Sequence, residues 1–471
     1  MSFLPKFVVS VAIVTIAAPL LAAERLDLSP HYRSNSAVHV TIDLDAGGHN
    51  LVRNQTDTKP EEGKDPATAN DTQKLPSSVS AKLSYDEVRL GDAANAEEGT
   101  ALAVRYYDNA EAVIKVDNAG RTPKLADEHR IIVLEQADPR PLLFCPGAPL
   151  EREQLDLIDV VGDSFSADRL LPDHAVAEGD TWKNDTKAMA PLLTLDSVAV
   201  CEVESVLDSS NDNFAKIRLA GTVHGTADGA AVEEEVRGVY LFDRKQHRVT
   251  RLNLAVKEKR SIGGATPGLD AVAKVQIVIA PIEKSSHLDP ATIEQATRQT
   301  RQPEGDLSFE APTMGFRLKH DRQWYVTSEA RQSVTLRRVD NGDLAAQCTV
   351  TQLPPKSEGR QTTLEQFQDD IKYALGQNFG EFVSNKQWQN AAGLYCYEVV
   401  VRGFTEELPV EWHYFLASPT SGNRLAISVT IEKAMVDRVG AADRELVESL
   451  QLFPVMPAAK TAAQPTGEAV R

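Results

Sequence analysis

The chain has 471 residues, 42% hydrophobic and 25% charged, an ordinary globular balance with material for two large domains. Its formal net charge is −18, with 68 Asp and Glu against 50 Lys and Arg. Such an acid excess argues against nucleic acid and anionic membrane surfaces as partners, because both demand a basic face.

Residues 1–23 carry Lys6, an apolar run Val8–Ala18, Pro19 and then Leu20-Leu21-Ala22-Ala23, ahead of Glu24-Arg25. That order is the layout of a secretory signal peptide and predicts a secreted or periplasmic product. The run is short for a membrane span, which needs about 20 residues, and no later stretch resembles one. The expected product is soluble and not an integral membrane protein once the signal is removed. Four cysteines follow, Cys145, Cys201, Cys348 and Cys396, none in a Cys-x-x-Cys pair. In an oxidising compartment they predict one disulfide per half, Cys145–Cys201 and Cys348–Cys396, with four buried thiols as the alternative.

Residues 24–282 read as an antiparallel β-domain, a curved sheet or partial barrel. Period-two alternation dominates: Ile217 and Leu219 against Lys216 and Arg218, Leu252 and Leu254 against Arg251 and Asn253, and Val232, Val236 and Tyr240 against Glu233, Glu235 and Arg237. Short helices are expected at Gln154–Val160 and Thr186–Leu193. Residues 53–78, rich in Thr, Asp, Asn, Lys and Pro, read as a mobile loop. The triplets at Asn54, Asn70 and Asn184 match the glycosylation pattern and are taken as chance. Residues 283–306, polar and carrying Pro290 and Pro303, form the expected linker, with room for one short helix.

Residues 307–454 read as a compact α+β unit, followed by a disordered tail at 455–471. Thr362 and Glu365 have the spacing of a capping box, and Leu364, Phe367, Ile371 and Leu375 form an apolar stripe ended by Gly376 or Gly380. Strands are expected at Ser333–Arg338, Leu344–Leu353, Tyr395–Arg402, Val410–Ala417 and Leu425–Glu432. A last helix spans Ala441–Leu450. The order of these elements, with Phe309–Phe316, Asp321–Trp324 and Tyr395–Val401, resembles the PsbP-like fold, an αβα sandwich. The first domain is similar to β-rich domains of unknown function in secreted bacterial proteins, through Arg105-Tyr106-Tyr107-Asp108, Leu170-Leu171-Pro172 and Gly179-Asp180-Thr181-Trp182. The PsbP-like resemblance implies a binding or assembly module rather than an enzyme.

Motifs for chemistry are sparse. No two of the ten histidines lie within five residues of each other, so local metal-binding spacings are absent. Asp173-His174 and His320-Asp321 place a carboxylate beside an imidazole and read as surface turns. Gly162-Asp163-Ser164 lacks the second glycine of a nucleophile elbow. Gly263–Gly268 reads as a turn, and Asp43-Leu44-Asp45 with Gly47-Gly48 as a strand end entering one. Lys257-Glu258-Lys259-Arg260, with Arg244, Lys245 and Arg248, forms the most basic patch, read as a solvated face. Trp324, Tyr325, Trp388, Trp412 and Tyr414 are assigned to core. The expectation is a non-enzymatic extracytoplasmic binding or scaffold protein, without cofactor or metal. It would hold a protein partner or a hydrophobic small molecule. The alternative is a hydrolase built from dispersed residues, with Asp173, His174, His320 and Asp321 the first to test.

Overall fold

The computed structural model describes residues 25–30, 36–53, 72–90, 100–298, 305–356, 361–405, 408–420 and 422–454. The signal-peptide stretch, the tail at 455–471, and Asn54 and Asn70 therefore lie outside the described residues.

Alternating side chains build one antiparallel sheet of twelve strands. From β1 (Ala37–Arg53) in the middle, the chain steps outward through β2 (Thr72–Arg89), β3 (Ala101–Val116), which also pairs with the short β4 (Ala119–Arg121), then β5 (Ile131–Glu135) and β6 (Leu142–Phe144). It then crosses to the opposite edge, through α1 (Arg152–Ile158), and enters β7 (Thr181–Asn184). After α2 (Thr186–Leu192) it meanders back through β8 (Ser197–Ser210), β9 (Phe214–Ala227), β10 (Ala230–Asp243), β11 (Arg248–Arg260) and β12 (Gly268–Ile282), which pairs with β1. The edge strands β6 and β7 do not pair with each other, so the sheet is open.

The edge-to-edge crossing explains what covers the apolar face. Leu150, Leu155, Ile158, Phe165, Leu170, Met189 and Leu192 pack in one buried cluster with Ile42, Leu83, Val236, Tyr240, Leu252 and Ile277 from the sheet. Burying a side chain of this size contributes about 1.5–3 kcal/mol. Gly162, at φ 85°, takes the turn that lays this segment on the sheet, and a Cβ there would sit 3.0 Å from Ile277 Cδ1. The Trp182 indole and the Tyr240 hydroxyl both donate to the Leu170 carbonyl, each at 2.9 Å.

Two expectations change here, and the linker gains a packing role. Residues 72–78 belong to β2 rather than to a loop. Asp43 to Gly48 do not enter a turn, because β1 runs on to Arg53 and Gly48 passes so close to β12 that a Cβ would fall 2.2 Å from the Asp270 carbonyl oxygen. The stretch read as a linker carries α3 (Pro290–Arg298), whose Ala296 packs with Leu288, Val88, Val104 and Val133 in a small separate core.

The second unit holds a short three-stranded sheet and a seven-stranded one. β13 (Leu307–Ala311) and β14 (Phe316–His320) pair with the last strand, β22 (Gln451–Leu452). The larger sheet runs β15 (Trp324–Ala330), β16 (Ser333–Asp340), β17 (Asp343–Lys356), β21 (Gly422–Glu432), β20 (Leu408–Ser418), β19 (Tyr395–Thr405) and β18 (Phe379–Gln389). Helix α4 (Leu364–Leu375) places Phe367 and Ile371 on Val399, Val401 and Trp412. The other face takes α5 (Val436–Val439) and α6 (Ala442–Ser449), with Leu446 and Val447 on Cys396, Phe415 and Ile427. The chain is thus a mixed α+β protein, largely strand. The α4 cap sits one residue later than the spacing predicts: Thr363 and Gln366 form the box, because the Thr362 hydroxyl accepts from Arg424 and Lys356.

The two units touch at several points. The Ser308 N–H donates to the Leu150 carbonyl at 2.8 Å, and the Arg337 guanidinium to the Gly264 carbonyl at 3.0 Å. The Arg152 guanidinium lies 4.5 Å from the centre of the Tyr325 ring, and Arg322 donates to the Leu143 carbonyl.

Candidate functional site

The four cysteines are free thiols, which corrects the two expected bridges. Cys145 follows β6 at one end of the large sheet, while Cys201 lies on β8 beside the other end. Cys348 on β17 and Cys396 on β19 are separated by β21 and β20. Three strand spacings amount to about 14 Å, and a disulfide needs its Cα atoms within about 7 Å. Burial pushes the Cys145 thiol up to about 11 and the Cys396 thiol up to about 12, so neither is poised as a thiolate at neutral pH.

The sequence candidates for hydrolysis stay apart. His174 and Asp173 bond only locally, at 2.8 Å on an exposed turn. His320 is buried, not in a surface turn, with Nδ1 2.7 Å from the Asp321 carbonyl oxygen, and burial pushes its pKa down to about 4. The Asp321 carboxylate turns to Arg338 at 3.2 Å. The basic patch divides: Lys257 and Lys259 are exposed, Arg248 is buried, and Arg260 pairs with Asp228 and Glu258. Trp324 and Trp412 are buried in different cores, as aromatic residues on half-buried strands should be. Asn184 is buried and donates to Ser205 Oγ at 2.9 Å, so it is no glycan acceptor in the folded chain.

The motif Arg105-Tyr106-Tyr107-Asp108 serves both faces of the sheet. Arg105 and Tyr107 point inward and are buried. Arg105 meets the Glu87 carboxylate at 2.9 Å and Asp163 at 2.5 Å, while Arg89 bonds Glu87 and Asp168, each at 2.9 Å. The Ser164 hydroxyl donates to Glu87 at 2.9 Å and bonds Tyr85 at 2.8 Å. Burial alone would raise the Glu87 carboxyl, but the guanidiniums of Arg89 and Arg105 and the hydrogen bonds of Arg89 and Ser164 outweigh it and hold it at about 2. Sealed in this way, Ser164 and its neighbours hold the crossing segment to the sheet rather than meet a substrate.

On the outer face, Tyr106 stacks on His287 with ring centres 3.9 Å apart. Near it, His39 Nδ1 lies 2.9 Å from Asp86 Oδ1, and His39 Nε2 lies 3.1 Å from Ser84 Oγ. Ser84, His39 and Asp86 thus have the connectivity of a catalytic triad. Ser84, however, sits inside β2, paired with Thr41 and Asn109, rather than on the sharp turn that presents a nucleophile. Asp108 completes the group: its carboxylate, that of Asp86 and the imidazole have ligand atoms within 4.8 Å of one another. Among the described residues this is the group whose donors suit a metal.

Elsewhere the outer face forms an open trough of about 850 Å³. Its floor follows one row of cross-strand partners over six strands, Glu204, Ala220, Arg237, Ala255, Lys274 and Asp45. Ala220 and Ala255 lie low on either side of Arg237, with Glu204 at one end of the row and Lys274 and Asp45 at the other. No candidate list from sequence contained this row, because its members alternate with core residues on six separate strands.

No protein-family model matches the chain, and no curated protein matches its sequence. Among solved structures, PsbP from Synechocystis sp. PCC 6803 is similar over 31% of this chain and 92% of its own, at 11% identity and a TM-score of 0.24. A point mutant of the protein Mog1 is similar over 31% of this chain and 96% of its own, at 9% identity and a TM-score of 0.23. A protein from Bacteroides thetaiotaomicron VPI-5482 is similar over 31% of this chain, at 11% identity and a TM-score of 0.22, and the match spans 48% of that protein. Among the described residues, no helix is long and apolar enough to cross a membrane.

Proposed function

We propose that this chain is an extracytoplasmic, non-catalytic scaffold that binds a protein partner across the outer face of its large sheet, with a PsbP-like second unit docked beside it. One contrast carries the reading. The apolar face that would hold a hydrophobic ligand is filled by the chain's own residues, such as Leu155, Phe165 and Met189, while the outer trough is open.

A small molecule is bound by a concave site that buries most of its surface. This trough is instead broad, with Ala220 and Ala255 low on either side of Arg237 and with Glu204, Lys274 and Asp45 beyond them. Small floor residues with mixed charges beside them suit a polypeptide whose own charges alternate, since complementary potentials steer encounter and fix register.

The test is cross-linking of the chain in its native compartment, followed by mass spectrometric mapping. The wild type should yield cross-links at Lys274 to one polypeptide, and Ala220→Trp with Ala255→Trp should abolish them by filling the floor. Cross-links that survive both substitutions, or that map only to the second unit, would place the binding surface elsewhere.

A further inference from the structure

We propose that His39, Asp86 and Asp108 form a binding site for a first-row divalent transition-metal cation of the zinc type. Three adjacent strands supply one ligand each. His39 on β1 and Asp86 on β2 are direct cross-strand partners, so their side chains rise side by side from the same face. Asp108 comes from β3, where the register shifts between Ser84 and Tyr85: Tyr85 faces Tyr107 and Ser84 faces Asn109, leaving Asp108 as the extra residue. A bulge re-aims side chains in this way. Tyr107 and Ala110 both remain buried while Asp108 between them is exposed.

The donor chemistry is specific. One imidazole nitrogen and two carboxylates give a neutral-plus-dianionic set, and nitrogen with oxygen donors suits zinc better than the all-oxygen sets preferred by calcium and magnesium. The guanidinium of Arg130 is directed elsewhere: it donates to the Asp108 backbone carbonyl at 2.9 Å and to the Asp127 carboxylate at 2.7 Å.

The imidazole is also oriented from behind. Nδ1 faces Asp86, and Nε2 lies 3.1 Å from the Ser84 hydroxyl. Without a cation, the neutral tautomer with its proton on Nδ1 donates to Asp86 and accepts from Ser84 at Nε2. On binding, the cation takes the Nδ1 lone pair, the Nδ1 proton leaves to solvent, and one proton resides on Nε2 to donate to Ser84 Oγ. The proton moved to Nε2 comes from water, which receives the Nδ1 proton in exchange, so a neutral His39 releases no net proton and a protonated one releases one. A hydrogen bond behind a metal-bound histidine fixes its tautomer and orientation. The site is reachable, since the His39 side chain is 34% exposed. Three protein ligands leave further coordination positions for water or for an atom of a partner.

The experiment is calorimetric titration of the chelator-treated full chain with Zn²⁺, with Mg²⁺ and Ca²⁺ as comparison ions. One Zn²⁺ per chain should bind, and Co²⁺ in its place should give visible absorption bands. His39→Ala and Asp108→Asn should each weaken Zn²⁺ by at least about tenfold, and Ser84→Ala by about tenfold. His174→Ala should leave it unchanged. Asp108 is exposed, so its variant keeps the test valid should His39→Ala fail to fold. Absence of Zn²⁺ binding by the wild type, or equal binding by Asp108→Asn, would overturn the site.

Discussion

Glu234 offers the most quantitative test of the folded interior. It lies on β10 between Val232 and Val236, on the apolar face, and is 2% exposed. Its Oε2 has no hydrogen-bond partner among the described residues, and it faces Glu258 across the strand pair. Burial first, and the Glu258 charge second, raise its carboxyl from 4.5 to about 8, against the opposing pull of Arg260. A carboxyl raised in the folded state stabilises as its neutral acid. Its contribution is complete below about 4.5 and is lost as pH rises through about 8. At about 1.4 kcal/mol per unit, the gap sets an upper bound near 5 kcal/mol, and water reaching the opened charge reduces this to about 2–5 kcal/mol. Glu234→Gln keeps the shape and removes the titration. Urea unfolding followed by circular dichroism at pH 5, 7 and 9 should show the variant gaining on the wild type by about 2–4 kcal/mol between pH 5 and pH 9. Any packing cost of the amide is the same at both ends, so the change with pH is the readout. A difference that stays constant across that range would refute the assignment of Glu234 to a buried, uncompensated position.

The remaining predictions concern the other buried charges and the thiols. Arg105→Ala should cost about 3–5 kcal/mol in urea unfolding, because it leaves Glu87 buried with half its compensation; a loss under about 1 kcal/mol would mean water reaches that network. His413 lies 2.5 Å from Asp443 and 3.0 Å from Glu411. Burial alone would lower its pKa, but both carboxylates outweigh this and raise it. Its contribution should therefore be full below 6.5 and fade as pH rises through its raised value. Asp443→Asn should accordingly destabilise by about 3 kcal/mol at pH 6 and by less at pH 9, and a cost that grows with pH would contradict the pairing. Thiol titration of the denatured, unreduced chain should count four free cysteines, and a count of two or none would contradict the geometry given above.

The sequence was most legible where one face of a strand is wet. Strands β9 to β12 alternate cleanly because the crossing segment covers one side and solvent the other. Helix α4 was equally readable through its stripe. Strand β18 was not: as an edge strand its side chains are exposed on nearly every position, so no period marks it. The alternation also concealed Glu234, which reads as one of three consecutive glutamates yet faces the core. The cysteine pairing failed because cysteines are buried for packing as readily as for bridging. His39, Asp86 and Asp108 were invisible as a group, since sheet order joins residues 47 apart in the chain and a bulge supplies the third. The Arg105–Asp108 motif carried only a resemblance, and nothing in it said that its members divide between the two faces.

Native mass spectrometry of the chain purified from its own source tests the central claim most directly. A scaffold with a filled interior should appear with a co-purified polypeptide, lost on Ala220→Trp with Ala255→Trp, and without a retained lipid; the polypeptide recovered without any partner would contradict the binding role. A retained lipid or other hydrophobic small molecule, released only on unfolding, would contradict it and place a ligand where Leu155, Phe165 and Met189 are packed.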